Sequence, residues 1–503
     1  MNENVKISSK KNFLINFFSC IYAIEFFFYM LFNSPSFLFI FFPVTIVFYI
    51  LIKKFYNKKL VLLSFFSFIS FLFYSLWNIF FLPLIIFSIF FNFYISKLII
   101  GNFYYLKKTY LYLGILINIL FLFIFKYTHF FILNLNFFFS TNYNFFNLIY
   151  PLGLSFYTIE QIAYLIDCYE NKSKNSKILE YSVYVTFFSH LLAGPILIYK
   201  NFIPELKKVD KKYNFNNCLK GFLLIFIGLS KKILIADPLL LIVNKYFDPN
   251  FVNLSFLQSW VGSIALTFQI YFDFSGYTDI ALGIALIFMI KFPNNFDSPF
   301  QSKSMIEFWN RWHITLSNFI NYYMYRNFIK LFNNINLLNS SIVIICVMFI
   351  AGVWHGPSWG YAVFGLFHGI GIVINHYWRV YGFKLNNFLN WFITFNFVNF
   401  TFIIFKSQNI TVFLNFIKKM YLIDFSEIFE NINNFTNSLE MFMSVLFLIF
   451  CFIIIFNKYN SFKLFSSKKI PAKIISIVSI FGAIALFKML IADSSEAFIY
   501  FNF

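Results

Sequence analysis

The sequence is poor in charged residues. Only 12% of its 503 residues are Asp, Glu, Lys or Arg, whereas soluble domains carry roughly 25%. Together with a hydrophobic fraction of 60%, that shortage excludes an ordinary water-soluble globular protein. The apolar runs are long enough for about eleven to thirteen membrane-spanning helices. We therefore predict an all-α polytopic membrane protein.

Cysteine is also scarce, and its spacing is uninformative. The five cysteines lie far apart and form no Cys-x-x-Cys pair. Most lie in or beside apolar runs, where cysteine behaves as a small hydrophobic residue. The sequence therefore predicts neither a disulfide framework nor a metal site.

Acidic residues are outnumbered by basic ones, which gives a net charge of +19. The lysines cluster in short loops between apolar runs, for example at Lys53, Lys54, Lys58 and Lys59, and such clusters usually face the cytoplasm. We expect a multi-pass protein of the cytoplasmic (inner) membrane, with a cytoplasmic N-terminus and an uncleaved first helix. Membrane lipid is then the expected electrostatic partner, and nothing indicates nucleic-acid binding.

Polar residues are unevenly distributed along the chain. Residues 1–140 and 381–503 read as transmembrane helices joined by Lys- and Asn-containing loops, and the former show no sign of chemistry. Residues 141–380 instead contain Gly, Pro, acids, His and Trp within interrupted apolar runs. Broken or re-entrant helices are tolerated in a membrane where they line a cavity or are buried in protein. The middle region is therefore expected to hold the functional site.

Histidine is rare, and two of the six histidines follow tryptophan inside apolar sequence. His313 ends Phe-Trp-Asn-Arg-Trp-His, and His355 lies in Val-Trp-His-Gly-Pro. A polar ring is costly in such a setting, so it indicates a functional site. Gly356-Pro357 should end a helix directly after His355. A histidine here could act as a general base near neutral pH.

The surroundings of His313 suggest a helix with two side-chain pairs. At i, i+4 spacing, Glu307 would pair with Arg311, and Trp309 would stack on His313. An amphipathic helix at the membrane interface would also explain the tryptophans and Arg311.

Two intramembrane acids, Asp273 and Asp279, are further candidates. Their spacing of six residues places them on different helix faces, which argues against a metal pair. Ion pairing with a basic residue such as Arg311 is the favoured interpretation. The residues expected to shape the site are Glu307, Arg311, Trp312, Trp354, Asp273 and Asp279.

Two other polar stretches have structural interpretations. The hydroxyl, acid and amide side chains of residues 151–161 could form hydrogen bonds between helices or line a cavity. His190 precedes Gly194-Pro195 and is expected to position a broken helix. The sequence has no Walker loop, Gly-x-Ser-x-Gly elbow or metal-ligand cluster. The simplest chemistry is therefore direct acyl transfer to a hydroxyl group activated by a histidine base.

These motifs resemble those of the membrane-bound O-acyltransferase (MBOAT) family. The similarity is greatest to its bacterial branch, which includes the membrane subunits of alginate and peptidoglycan O-acetylation and the D-alanyl transfer protein of teichoic acids. The stretches that carry it are residues 151–167, 187–204, 228–237, 268–285, 292–317, 354–369 and 498–503. After His313, however, residues 321–328 lack the Asp and the Gly-Gly loop of alginate-type members, a difference that slightly favours the teichoic-acid type.

The resemblance implies an MBOAT-type helical bundle around a central cavity, with His355 as the essential base and His313 as the second histidine. It further implies acetyl-CoA or an acyl-carrier thioester as donor, with no permanently bound cofactor. The acceptor would be a cell-envelope polysaccharide or peptidoglycan, and an extracytoplasmic acyltransferase would be a partner. Three alternatives remain open. They are D-alanyl transfer to a teichoic-acid-type polymer from a carrier protein, transport of a lipid-linked glycan, and a non-catalytic membrane scaffold for an envelope complex.

Overall fold

The computed structural model describes residues 30–101, 104–143, 148–173, 176–211, 213–248, 254–407, 410–422, 435–457, 459–467, 469–492 and 496–499. These residues form helices and connecting loops without a β-strand, which confirms the all-α prediction. Among the described residues, eight helical segments are long and apolar enough to cross a membrane. One of them, Lys59–Ile100, has 42 residues and is broken at Ile79–Phe81. The predicted first span begins in residues 1–29, outside the described residues, so the count of eleven to thirteen stays a prediction.

The described part of the N-terminal region contains five α-helices, and the last two are continuous with each other. They are α1 (Phe42–Tyr56), α2 (Lys59–Asn78), α3 (Leu82–Ile100), α4 (Lys107–Leu122) and α5 (Thr128–Phe139). A π-helical turn, Phe123–Tyr127, joins α4 to α5, so the two helices form one continuous helical segment. Such π-helical turns are rare in proteins, and those that do occur are often found at functional sites.

The middle of the chain contributes helices of very different length. They are α6 (Leu154–Tyr169), α7 (Ile178–Thr186), α8 (Tyr199–Leu206), α9 (Phe215–Leu229), α10 (Asp237–Tyr246), α11 (Phe256–Ile287), α12 (Met305–Arg311), α13 (Ile314–Phe319), α14 (Arg326–Phe328), α15 (Leu337–His355) and α16 (Trp359–Val380). The C-terminal helices are α17 (Asn387–Lys406), α18 (Ile410–Tyr421), α19 (Phe435–Phe456), α20 (Ser461–Ser466) and α21 (Ala472–Ile491).

Helix α11 is the centre of the bundle. Its 32 residues begin with a capping box at Ser255 and Gln258. The most apolar stretch of 18 residues within the helix is completely buried. Helix α9 packs antiparallel against it at two glycine pairs two turns apart. A Cβ on Gly228 would lie 2.5 Å from the carbonyl oxygen of Gly276, and one on Gly221 would lie 2.6 Å from that of Gly283. The absence of side chains therefore lets the two backbones touch.

The segment between α7 and α8 is a buried break in the helical structure, as its Gly-Pro signal predicted. The Glu160 carboxylate accepts a hydrogen bond of 2.7 Å from the Leu197 amide. His190 lies beside it, with Nδ1 3.5 Å from Glu160 Oε1 and Nε2 3.0 Å from the carbonyl of Tyr184. These polar contacts satisfy backbone groups that the break leaves without helical partners.

Helix α6 also binds its neighbours through polar side chains. The Gln161 side-chain oxygen accepts hydrogen bonds from Ser88 (2.7 Å) and Asn92 (2.9 Å), both of α3. At the other end of α6, Asp167 pairs with Lys200 at 3.0 Å and accepts a hydrogen bond from Tyr323 at 2.9 Å. The interhelical interpretation of this polar stretch is thus confirmed.

Candidate active site

His355 is the last residue of α15, where the Gly-Pro signal placed the helix end. Its side chain is buried, and it contacts Trp354, Phe364 and Phe405 at ring-centroid distances of 5.2, 6.1 and 5.7 Å. Gly356 follows in an extended conformation. The imidazole is therefore held by aromatic rings at the point where the chain leaves the helix.

His313 occupies the sharp junction between α12 and α13. Its backbone adopts φ 42° and ψ 53°, a left-handed conformation that is uncommon for residues other than glycine. The side chain is fully buried, with its ring centroid 4.8 Å from that of Phe274 in α11. Two rings connect the motifs: Phe364 lies 6.1 Å from His355 and 6.1 Å from Phe402, and Phe402 lies 5.3 Å from Trp312. The fold thus brings the two Trp-His motifs together.

The predicted stacking of Trp309 on His313 is wrong. Helix α12 ends at Arg311, so the two residues do not share a continuous helical face. Trp309 instead donates a hydrogen bond of 3.2 Å from its indole to Nδ1 of His368 in α16. Because an indole N–H can only donate, Nδ1 of His368 is an acceptor and its neutral ring carries the proton on Nε2.

The tryptophan that precedes each histidine is part of the packing around it. Trp312 is buried and stacks on Phe308 at 5.6 Å. Trp354 is half-buried, packs edge-on against Phe156 at 5.5 Å, and donates a hydrogen bond to the Ser155 carbonyl. The two side chains therefore anchor the histidines to different neighbours.

The predicted Glu307–Arg311 pair is confirmed. Arg311 Nη2 lies 3.0 Å from Glu307 Oε1, and both side chains are about one third exposed. Arg311 also donates a hydrogen bond to the carbonyl of Asp297. The pair is thus partly solvated and links α12 to the preceding loop.

The predicted ion pairing of Asp273 and Asp279 with basic residues is confirmed, but the partners are two lysines and not Arg311. Asp273 Oδ1 lies 2.8 Å from Lys232 Nζ, and Asp279 Oδ2 lies 2.7 Å from Lys231 Nζ. The two lysines belong to the π-helical segment Ser230–Ala236, which lies between α9 and α10. They face α11 because α9 packs along that helix. The ion pairs of both acids therefore join helices and do not reach the histidines.

Lys126, in the region that seemed to lack chemistry, contacts the end of the helix that carries His355. Its ammonium donates hydrogen bonds to the carbonyls of Trp354 and His355, at 2.8 and 3.1 Å, and to the Ser155 hydroxyl at 3.0 Å. It is buried within the bundle. A single lysine in an apolar run was the available sequence signal, and nothing local indicated its partner.

A cavity of about 420 Å³ opens beside α12 and the turn that follows His313. Its walls come from α12, residues 317–325, the first half of α15 and the second half of α16. Trp309 forms part of the wall and separates the cavity from His368. The lining residues supply amides, hydroxyls and one imidazole, and none is Asp, Glu, Lys or Arg; they include Asn310, Ser317, Asn318, Asn321, Ser340 and His376. The other lining residues are mostly apolar, so the lining suits an uncharged group with both polar and apolar parts.

Within the described residues, no three His, Cys, Asp or Glu side chains group closely enough to hold a metal ion. The chemistry that the arrangement supports is proton transfer by a buried imidazole.

Comparison with known proteins identifies the family of the chain. Residues 103–417 match the model of the membrane-bound O-acyltransferase family. A peptidoglycan O-acetyltransferase of Helicobacter pylori is 35% identical over 443 residues, which cover 79% of this chain and 83% of the relative.

Two further relatives cover less of the chain. A probable alginate O-acetylase of Pseudomonas aeruginosa is 32% identical over 60% of this chain and 58% of its own length. A teichoic acid D-alanyltransferase of Bacillus subtilis is 30% identical over 52% of this chain and 70% of its own length. The chain is therefore a polytopic membrane acyltransferase that belongs to the membrane-bound O-acyltransferase family.

Proposed function

We propose that the protein transfers an acetyl group from a cytoplasmic activated donor to a hydroxyl of a cell-envelope polysaccharide or peptidoglycan. The observation that supports this most directly is the buried pair of histidines, His355 and His313, in a chain whose relatives include O-acetyltransferases. We place the protein in the inner membrane with its N-terminus in the cytoplasm, because its lysine clusters follow the positive-inside pattern.

His355 acts as the general base in this proposal. Its imidazole accepts the proton of the acceptor hydroxyl while the oxygen attacks the carbonyl carbon of the thioester. The tetrahedral intermediate then collapses, the carbon–sulfur bond breaks, and the imidazolium returns the proton to the leaving thiolate. The products are an O-acyl ester and a free thiol. General-base assistance of this kind contributes about 10²–10⁴-fold to the rate.

His313 supports the reaction by orienting a reactant. Its left-handed backbone aims the ring toward the core, where it meets Phe274. Non-glycine residues keep such a conformation when their surroundings hold it in place. Here the Asn295 carbonyl accepts a hydrogen bond of 3.0 Å from the Ile314 amide directly after His313. Glu307, Arg311, Trp312 and Trp354 shape the site around the two histidines.

The donor is acetyl-CoA or an acyl-carrier thioester, whose shared chemistry is a long neutral arm with amide groups. The uncharged lining of the 420 Å³ cavity, which combines polar and apolar side chains, is compatible with that arm. The charged end of either donor would remain outside the cavity. An extracytoplasmic acyltransferase then completes the transfer to polymer that lies beyond the membrane.

The test uses membrane vesicles that contain the full chain, supplied with acetyl-CoA. We expect His355→Ala to abolish thiol release and ester-linked acetate in the acceptor fraction. His129→Ala in α5 is the matched histidine control and should retain the wild-type rate. Full acetyl transfer by His355→Ala would contradict the assignment of the base.

D-alanyl transfer is the second candidate. It is favoured by the matches to teichoic acid D-alanyltransferases and by residues 321–328, which lack the Asp and Gly-Gly of the alginate type. Vesicles offered either acetyl-CoA or a D-alanylated carrier protein would distinguish the two. If the protein transferred D-alanine from the carrier but no acetyl group from acetyl-CoA, the proposed reaction would be D-alanylation and not acetylation.

A further inference from the structure

A cluster of donors at the junction of α4 and α5 closes the end of the helix that carries His355. The last carbonyls of a helix have no partners within it and must be satisfied elsewhere. Lys126 serves the carbonyls of Trp354 and His355, and Tyr127 donates a hydrogen bond of 2.7 Å to that of Val353. Three consecutive carbonyls of α15 are thus held by two adjacent residues.

A lysine suits this position for an electrostatic reason. The carbonyl end of a helix carries about half a negative charge, so a cation is stabilised there. An ammonium has three N–H donors, and the three acceptors of Lys126 match that number. All three are uncharged oxygens, so the helix end itself is the main negative partner of this buried cation.

The third acceptor connects the cluster to α6. The Ser155 hydroxyl lies 2.6 Å from the Tyr150 hydroxyl, and the Ser155 carbonyl accepts a hydrogen bond from the indole of Trp354. The peptide groups on both sides of Trp354 are therefore held by hydrogen bonds to their carbonyl oxygens. The Trp354 ring is held by the hydrogen bond that its indole donates to Ser155. This fixes the backbone from which the His355 side chain projects.

We propose that Lys126 is a positioning residue for acyl transfer, which holds the backbone of His355 so that its imidazole meets the acceptor hydroxyl. The inference rests on the proposed role of His355 as the base. Displacement of a reacting group by about 1 Å can cost on the order of 10²-fold in rate. Loss of Lys126 is therefore expected to act on the catalytic step, since its ammonium donates hydrogen bonds to Ser155 and to the backbone at His355.

The experiment measures acetyl transfer in membrane vesicles while acetyl-CoA is varied. We expect Lys126→Met to lower the maximal rate roughly 10–100-fold, while the KM for acetyl-CoA stays within about twofold of wild type because the donor site is intact. Lys126→Arg keeps the charge and should recover part of the rate. Lys97→Met is the matched control, since Lys97 donates to the Ser176 carbonyl at 2.8 Å, away from the histidines. It should behave as wild type.

Three outcomes would overturn the inference. They are a Lys126→Met rate within threefold of wild type, an equal loss in Lys97→Met, and a fall in rate that merely follows the amount of folded protein. If Lys126→Met does not accumulate, Tyr127→Phe removes the neighbouring bond to Val353, and a wild-type rate there would also overturn it. Absence of acetyl transfer by the wild-type protein would instead refute the proposed function, so the two failures are distinguishable.

Discussion

Replacement of Lys232 by methionine should destabilise the bundle more than replacement of its partner Asp273 by asparagine. Lys232 Nζ lies 2.8 Å from Asp273 Oδ1 and 2.9 Å from Asp237 Oδ1, and it donates to the carbonyl of Ala497. The side chains of Lys232 and Asp273 are each 1% exposed. Removal of the lysine leaves a buried carboxylate without its cation, which costs about 3–5 kcal/mol.

The Asp273→Asn change should be milder because Lys232 keeps its contact with Asp237. The free energy of unfolding should then fall by about 1–3 kcal/mol, as expected for weakened hydrogen bonds. Apolar replacement of both partners, Lys232→Met with Asp273→Leu, should recover part of the stability, since neither charge then remains in the pair.

Thermal unfolding of the purified proteins in detergent ranks the variants by stability. Protease sensitivity of residues 496–499 provides a second readout, because Asp273 Oδ2 accepts a hydrogen bond of 2.7 Å from the Ile499 amide. Lys245→Met removes the exposed pair with Glu440 and should change the free energy of unfolding by less than about 1 kcal/mol. The reasoning is refuted if Asp273→Asn is as damaging as Lys232→Met, or if Lys245→Met equals either.

Three further changes test other contacts. Gly228→Leu should prevent α9 from approaching α11, because its Cβ would meet a backbone carbonyl at 2.5 Å; the yield of folded protein on size-exclusion chromatography would fall, and a normal yield would contradict the close approach. Trp309→Phe removes the donor to His368 and should lower the free energy of unfolding by about 1 kcal/mol, which the unfolding midpoint would report; an unchanged midpoint would argue against that bond. Glu307→Gln breaks the partly exposed pair with Arg311 and should cost less than about 1 kcal/mol; a larger shift in the midpoint would show that the pair is not solvated.

Features of the fold that depend on local sequence could be predicted. The apolar runs predicted membrane-spanning helices, because about 20 apolar residues in helical form cross the hydrocarbon core. Gly356-Pro357 predicted the end of α15 at His355, because proline at that position cannot continue a helix. The Gly-Pro pair after His190 likewise marked the buried break before α8.

Partners that come from distant parts of the chain were harder to predict. Asp273 and Asp279 were expected to pair with a basic residue such as Arg311, and they do pair with basic residues, but these are Lys232 and Lys231. The choice depends on the crossing of α9 and α11, which is set by glycines whose facing positions no local pattern reveals. Trp309 met a different histidine from the one expected, because α12 ends before its i+4 position.

The contrast between His355 and Lys126 shows how far the site could be predicted. His355 could be found because a histidine between tryptophan and a helix-ending Gly-Pro pair is unusual wherever it occurs. Lys126 has ordinary neighbours, and a lone lysine in a long helix is as consistent with a side chain that reaches the membrane surface. What distinguishes it is the end of another helix more than two hundred residues away in the chain. The negative end of that helix explains why a cation is stabilised there. The backbone of His355 is thus held by a residue outside the region that carries the histidine motifs.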